Sequence, residues 1–233
     1  MMSPLESRTS SQVPARPLIG LTPSIDVLNG KTIVRVNAAY VDMLTEAGGA
    51  PVVLTPDVAL VDDYVARLDG FVLTGGPDID VRPFGLTLHP KAEIMDARRQ
   101  AFDFALLQAL DTTRERAALG ICLGMQEMGV HGGCPLIQHM HDEVRDAERH
   151  SNDGAHLVTS AFGEGAVASS HHQALGNARH FDVIATSDDG VIEGIRDATR
   201  PFYVGVQWHP ERTADRSLGL GVMRQLVEAA RHR

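Results

Sequence analysis

Cys122 sits in Gly120-Ile121-Cys122-Leu123-Gly124, after the apolar run Ala117 to Ile121 and before a helical pattern. A strand, a G-x-C-x-G turn and a helix together form the thiol version of a nucleophile elbow. The flanking glycines relieve crowding in a strained turn that lifts the central side chain above a sheet. The following helix points its positive N-terminal end at the sulfur, which favours thiolate, the reactive form of cysteine. The N–H of Leu123 is then placed to hold a developing oxyanion. The chemistry this predicts is acyl transfer through a thioester. Cys134, next to Pro135, has no such surroundings and reads as a structural thiol.

A thiol nucleophile needs a base, and the base needs an orienting partner. Gln207-Trp208-His209-Pro210-Glu211 offers both. His209 ends an apolar strand, and strand geometry puts residues two apart on one side, so Glu211 can hold one imidazole nitrogen of His209 while the other faces sulfur. A third segment, Leu73-Thr74-Gly75-Gly76-Pro77-Asp78, follows another apolar run. Its glycines let backbone approach a substrate, and an N–H here could complete an oxyanion hole.

Those three segments each need a strand to end in the same place. Apolar runs of strand length (Leu18–Leu21, Pro51–Leu54, Phe71–Leu73, Ala117–Ile121) alternate with helical patterns (Val36–Ala47, Leu60–Leu68, Asp96–Leu110), which predicts an α/β fold with a mainly parallel sheet. In such a sheet the carboxyl ends of the strands form the ligand crevice. After Pro135 the rhythm changes. His139 to Asp153 is polar and reads as a surface excursion. Strands and turns follow at Asp182–Ala185, Val191–Ile195 and Phe202–Gln207, and Leu218–Ala230 closes the pattern as an amphipathic helix.

Composition narrows the function class. Of 233 residues 43% are hydrophobic, enough for a core and against a disordered chain. The formal net charge of −9, with no basic cluster, argues against nucleic acid as a partner. No apolar run spans a bilayer. Residues 1–16 lack an apolar stretch and read as a flexible tail ahead of a single domain over 17–233, with the cytoplasm as the expected compartment. A small molecule is the expected partner, and a homodimer is compatible with this reading.

Together the segments LTGGPDI (Leu73–Ile79), GICLGMQE (Gly120–Glu127), SSHHQA (Ser169–Ala174), DDGVIEGI (Asp188–Ile195) and GVQWHPE (Gly205–Glu211) resemble the class I glutamine amidotransferase-like superfamily, and within it the γ-glutamyl-γ-aminobutyrate hydrolase branch, peptidase family C26. The resemblance covers about Pro17 to Ala230. It implies a three-layer, flavodoxin-like α/β sandwich with an antiparallel strand excursion toward the C-terminus. It also implies a cysteine-dependent hydrolase that cleaves the γ-glutamyl amide of a small conjugate, with no metal and no cofactor. Carried over by position, Cys122 corresponds to the nucleophile, His209 to the base and acid, and Glu211 to its orienter. Gly76 and Leu123 correspond to the oxyanion donors. Gln126, Ser169, His171, His172 and Gln173 correspond to substrate-binding positions.

The chain departs from the family pattern in three places. Gln100 stands where an Arg-Asp-x-x-Glu motif has Asp, Ala168 stands where Asn is common, and the segment from His156 to Ser169 is shorter. An alternative reading is a glutaminase subunit that feeds ammonia to a separate synthetase, although the PDID and SHHQ segments favour the hydrolase. A third is a zinc-binding module, prompted by His139, His141, His150 and His156. Without HExxH or CxxC, such spacing reads as a solvated loop.

Overall fold

The computed structural model describes residues 15–151 and 153–232; most of the expected N-terminal tail therefore lies outside the described residues. The strands are β1 (Leu18–Leu21), β2 (Ser24–Leu28), β3 (Lys31–Arg35), β4 (Ala50–Val53), β5 (Gly70–Leu73), β6 (Ala117–Ile121), β7 (Leu136–Ile137), β8 (Gly154–Ser160), β9 (Gly163–Ser169), β10 (Ala174–Leu175), β11 (Asp182–Ser187), β12 (Ile192–Arg196) and β13 (Tyr203–Val206). The helices are α1 (Ala38–Glu46), α2 (Val61–Arg67), α3 (Ala97–Thr112), α4 (Leu123–His131) and α5 (Leu220–Arg231).

One nine-stranded sheet runs in the order β4-β1-β5-β6-β13-β12-β11-β8-β9. The first five strands are parallel. The last four join antiparallel, forming the expected excursion.

Side chains alternate across the sheet with the period of two that strand geometry imposes. Val72, Leu119 and Ile121 pack on one face with Tyr40 and Leu44 of α1 and Met223, Leu226 and Val227 of α5. Phe71, Leu73 and Ala118 pack on the other face with Val61 and Val65 of α2, Phe102 and Leu106 of α3, and Met128 of α4. The expected three layers are present. β5, β6 and β13 lie side by side with matching register, so Leu73, Ile121 and Val206 end at one edge of the sheet. The three chemically suggestive segments start there.

Two features differ from the sequence reading. A hairpin, β2–β3, was not anticipated; its Asn29-Gly30 turn has φ 50° and 72°, the left-handed pair a tight type I′ hairpin requires. The supposed surface excursion is partly interior. Met140 and His150 are fully buried, and His139 and Ala147 nearly so. His150 is inside because it meets the distant acids Asp189 and Glu193, while His141, Asp142, Glu143, Arg145, Asp146 and Glu148 stay exposed as expected.

Candidate active site

Cys122 follows β6 at φ 53° and ψ −105°, a conformation that crowds an L side chain. The surrounding backbone enforces it. The Cys122 N–H donates to the Val206 carbonyl at 2.8 Å, and the Gln126 N–H to the Cys122 carbonyl at 3.2 Å. A Cβ at Gly124 would lie 2.2 Å from the Leu73 carbonyl oxygen, and one at Gly120 would lie 2.6 Å from the Gly124 backbone. Only glycine fits these two places, which lets α4 start directly beneath the thiol. The Leu123 N–H is the first of the helix and has no intrahelical acceptor.

His209 follows β13, but the chain turns at Pro210–Arg212 into a 3₁₀ turn instead of continuing as a strand. The pairing expected from strand spacing forms all the same: His209 Nδ1 lies 2.7 Å from Glu211 Oε1. The local backbone is pinned, with the His209 N–H donating to the Ala168 carbonyl and the Thr213 hydroxyl donating to the His209 carbonyl. Ala168 thus contributes through its backbone, which any residue supplies. Burial pushes the imidazole down, but the adjacent Cys122 sulfur and the Glu211 carboxylate outweigh this and raise it to about 9. Burial instead pushes the Cys134 thiol up, in keeping with an inert role.

Gly75 fills the gap between these groups. A Cβ there would meet His209 Cε1 at 2.9 Å and the Tyr40 hydroxyl at 3.0 Å. The Gly75 N–H donates to the Tyr40 hydroxyl, whereas no protein acceptor engages the Gly76 N–H among the described residues. Burial, then the Glu211 charge, push the Tyr40 phenol well above its ordinary value, so it stays neutral.

The glycine strip is held from behind by Arg99, whose guanidinium donates to the Thr74 carbonyl at 2.8 Å and the Gly75 carbonyl at 3.1 Å. Its Nε donates to Asp103 at 3.1 Å, with both side chains buried. Glu127 of α4 completes this cluster. Burial and the neighbouring Asp103 charge push its carboxyl well up, and burial pushes Asp103 up to about 6. Tyr40 carries no local signal that marks it as a neighbour of this site; the fold alone brings it there. Gln100, the departure from the family pattern, clasps the Asp80 backbone from both sides, accepting from its N–H at 2.8 Å and donating to its carbonyl at 3.0 Å. A carboxylate could only accept.

A cavity of about 440 Å³ opens at Cys122, lined in part by Gly76, Asp78, Gln126, Ser170, His172 and Gln173. The Gln126 amide nitrogen donates to the Gln173 carbonyl and to Gln207 Oε1, which leaves its oxygen for the cavity. His172 Nε2 bridges to Asp78 at 2.7 and 2.9 Å, and this contact raises the imidazole above its ordinary value. It ties the loop after β9 to the loop after β5.

Three of the expected substrate contacts are placed differently. Ser169 is fully buried and donates to the His150 carbonyl; its neighbour Ser170 faces the cavity instead. His171 edges the cavity, but its nitrogens turn to the Gln173 carbonyl and to Glu193. The Gln173 amide is likewise committed, to the Gln138 carbonyl. A second cavity, of about 240 Å³, lies beyond His209 and is lined by Arg35, Asn37, Tyr40 and Glu211 among others. The four histidines of the zinc reading separate. His139 and His141 stack with one another, and His139 also stacks with His89, while His150 and His156 meet elsewhere.

Comparison with known proteins agrees with this picture. The Peptidase C26 family model matches residues 17–211. The protein named "Putative glutamine amidotransferase Rv2859c" of Mycobacterium tuberculosis is 32% identical, over 93% of this chain and 75% of that protein. The γ-glutamyl-γ-aminobutyrate hydrolase PuuD of Escherichia coli K12 is 26% identical, over 93% and 94% of the two chains. A solved structure from Thermoplasma acidophilum, named as a "putative gmp synthase subunit a protein", superposes with a TM-score of 0.65 at 20% identity, covering 94% of this chain and 96% of that one; it shares the fold. The strand order, the elbow geometry and the family match converge: this chain belongs to the peptidase C26 family of class I glutamine amidotransferase-like proteins.

Proposed function

We propose that the protein hydrolyses the γ-glutamyl amide bond of a small glutamyl conjugate through a γ-glutamyl thioester on Cys122. The observation that carries the reading is the strained Cys122 at the start of α4, beside an imidazole already anchored to Glu211. In the first step the Cys122 sulfur, its proton already held on the adjacent His209 imidazole, adds to the γ-carbonyl. The oxyanion is met by the N–H groups of Leu123 and Gly76. As the C–N bond breaks, His209 returns the proton to the departing amine. Water then gives a proton to His209, attacks the thioester, and releases the γ-carboxylate as the C–S bond breaks and the thiolate is restored.

The cavity supports a glutamyl substrate. The Gln126 oxygen and the acidic side chain of Glu93 complement an α-ammonium. Its volume of about 440 Å³ falls in the range of ordinary small-ligand sites and exceeds what a glutamyl group fills alone. The second cavity, on the His209 side, offers the leaving amine a way out.

The alternative, a glutaminase half delivering ammonia, draws on the name of the mycobacterial relative. A panel of γ-glutamyl amines assayed beside glutamine separates the two. Conjugates turned over faster than glutamine by the protein alone support the hydrolase. Glutamine as sole substrate, with activity that rises on adding a partner protein, supports the glutaminase.

A further inference from the structure

Behind the cavity wall, four side chains that the reaction does not use converge. His150 ends the 3₁₀ turn Ala147–His150, His156 lies in β8, Glu193 in β12, and His171 in the loop after β9. His150 and Glu193 are wholly buried, and His156 and His171 are only 4% and 5% exposed. Glu193 Oε1 lies 3.0 Å from His156 Nε2, 3.2 Å from His150 Nδ1 and 3.6 Å from His171 Nε2. Yet all four of these atoms lack a properly directed hydrogen bond. Buried polar atoms left in that state cost stability, so a close cluster of them calls for an explanation.

The outward nitrogens supply one. His150 Nε2 lies 2.9 Å from Asp189 Oδ2, and His171 Nδ1 lies 2.9 Å from the Gln173 carbonyl oxygen. Each must donate its proton to that oxygen. In a neutral ring the opposite nitrogen then aims a lone pair at the Glu193 carboxylate. Ring lone pairs that converge on a carboxylate oxygen are the arrangement a metal cation between them satisfies. Imidazole ligands of metals typically use their second nitrogen in this way, donating to a carboxylate or a backbone carbonyl. The distances from Glu193 Oε1 also fit. Donors about 2.0–2.2 Å from a tetrahedral ion stand roughly 3.3–3.6 Å from one another.

We propose that His150, His156, His171 and Glu193 form a buried site for one divalent transition-metal ion of the zinc class. The ligand atoms of His150, His156 and Glu193 already lie within 4.8 Å of one another, and His171 joins from the cavity side. Nitrogen and oxygen donors in this set suit zinc, with cobalt as a faithful substitute. Glu193 and the outer Asp189 together balance the charge of a divalent ion bound by neutral imidazoles. With no opening for substrate, the ion is structural. It ties β8, β12 and the turn before β8 to the loop that presents Ser170, His172 and Gln173 to the cavity. The inference is independent of the reaction proposed above, because none of the four residues touches the reacting atoms.

The test uses untagged protein, produced with zinc in the medium and purified without chelating resin, and measures metal per chain. About one equivalent of zinc in wild type and in Cys122→Ser, lost in both His156→Asn and Glu193→Gln, is the expected result. Dialysis of wild type against a strong chelator should lower the Tm by several degrees. Adding back zinc should restore it, and adding cobalt should produce the visible absorption of a four-coordinate site. If the substituted proteins fail to fold, the chelation and cobalt arms on wild type decide. Wild type that takes up no zinc at one equivalent and shows no Tm response overturns the site. So does zinc that stays in Glu193→Gln but leaves with Cys122→Ser, since that would place the ion at the thiol.

Discussion

His209 Nδ1 and Glu211 Oε1 stand 2.7 Å apart, and this contact leaves Nε2 as the nitrogen able to exchange a proton with the Cys122 sulfur. Both side chains are largely withdrawn from solvent, so the carboxylate acts on the imidazole with little screening. If Glu211 acts only through His209, their losses cannot multiply. His209→Ala should lower kcat/KM by at least as much as Glu211→Gln, and the double variant should fall little below His209→Ala. Losses that multiply independently would show that Glu211 works by another route.

The same pair sets a pH dependence. In the proposed reaction the His209 imidazole, raised to about 9, must be protonated to deliver a proton to the leaving amine. kcat/KM should therefore hold toward neutral pH and fall above about pH 9. Removing the Glu211 charge withdraws support from the imidazolium, lowers its pKa, and moves this alkaline limb to lower pH. A Glu211→Gln profile with an unmoved limb would contradict the assignment.

The two cysteines should behave differently. Cys122 lines the cavity, while Cys134 is packed among Leu175 and Phe181 with its thiol pushed up by burial. Iodoacetamide at neutral pH should label Cys122 first, as read by peptide mass mapping. Cys122→Ala should abolish turnover with the fold retained, and Cys134→Ala should leave turnover nearly unchanged.

Two glycines separate folding from chemistry. Gly124→Ala drives a Cβ into the Leu73 carbonyl and should cost stability, on the order of 1–3 kcal/mol or more for overpacking a rigid backbone contact. Gly75→Ala meets the movable His209 ring and Tyr40 hydroxyl, so kcat should fall at least tenfold while thermal stability changes little. Denaturant unfolding alongside kinetics distinguishes the two.

Arg99 gives a third contrast. Replacing it with Met frees the Thr74 and Gly75 carbonyls and strips Asp103 of its cation, a loss of about 3–5 kcal/mol for a broken buried pair. Glu127 is pushed well up toward its neutral form, chiefly by burial, so Glu127→Gln keeps both size and charge and should cost less than about 1 kcal/mol. Equal losses would mean that Glu127 is ionised in the fold.

Much of this site could be read from local sequence because its parts are local devices. The Gly120–Gly124 elbow and the His209–Glu211 pair are each set within five residues, and three apolar runs place them on adjacent strands. What escaped the reading depends on long-range packing. His150 finds Asp189 and Glu193 some forty residues on, so one end of a polar, largely exposed stretch turns interior. Ser169 and His171 illustrate the same limit. Their motif points to the cavity, but Ser169 turns inward to the His150 carbonyl and Glu193 captures His171. The β2–β3 hairpin was a different omission, because Asn29-Gly30 is a strong local turn signal.

The central claim is that Cys122 carries the glutamyl group during turnover. The most direct measurement is acid quenching of the protein during reaction with a γ-glutamyl amide, followed by intact and peptide mass analysis. A gain of one glutamyl group, located on the Cys122 peptide and absent from Cys122→Ala, is the predicted result. Turnover of the amide with no adduct in wild type, and with activity persisting in Cys122→Ala, would contradict the account.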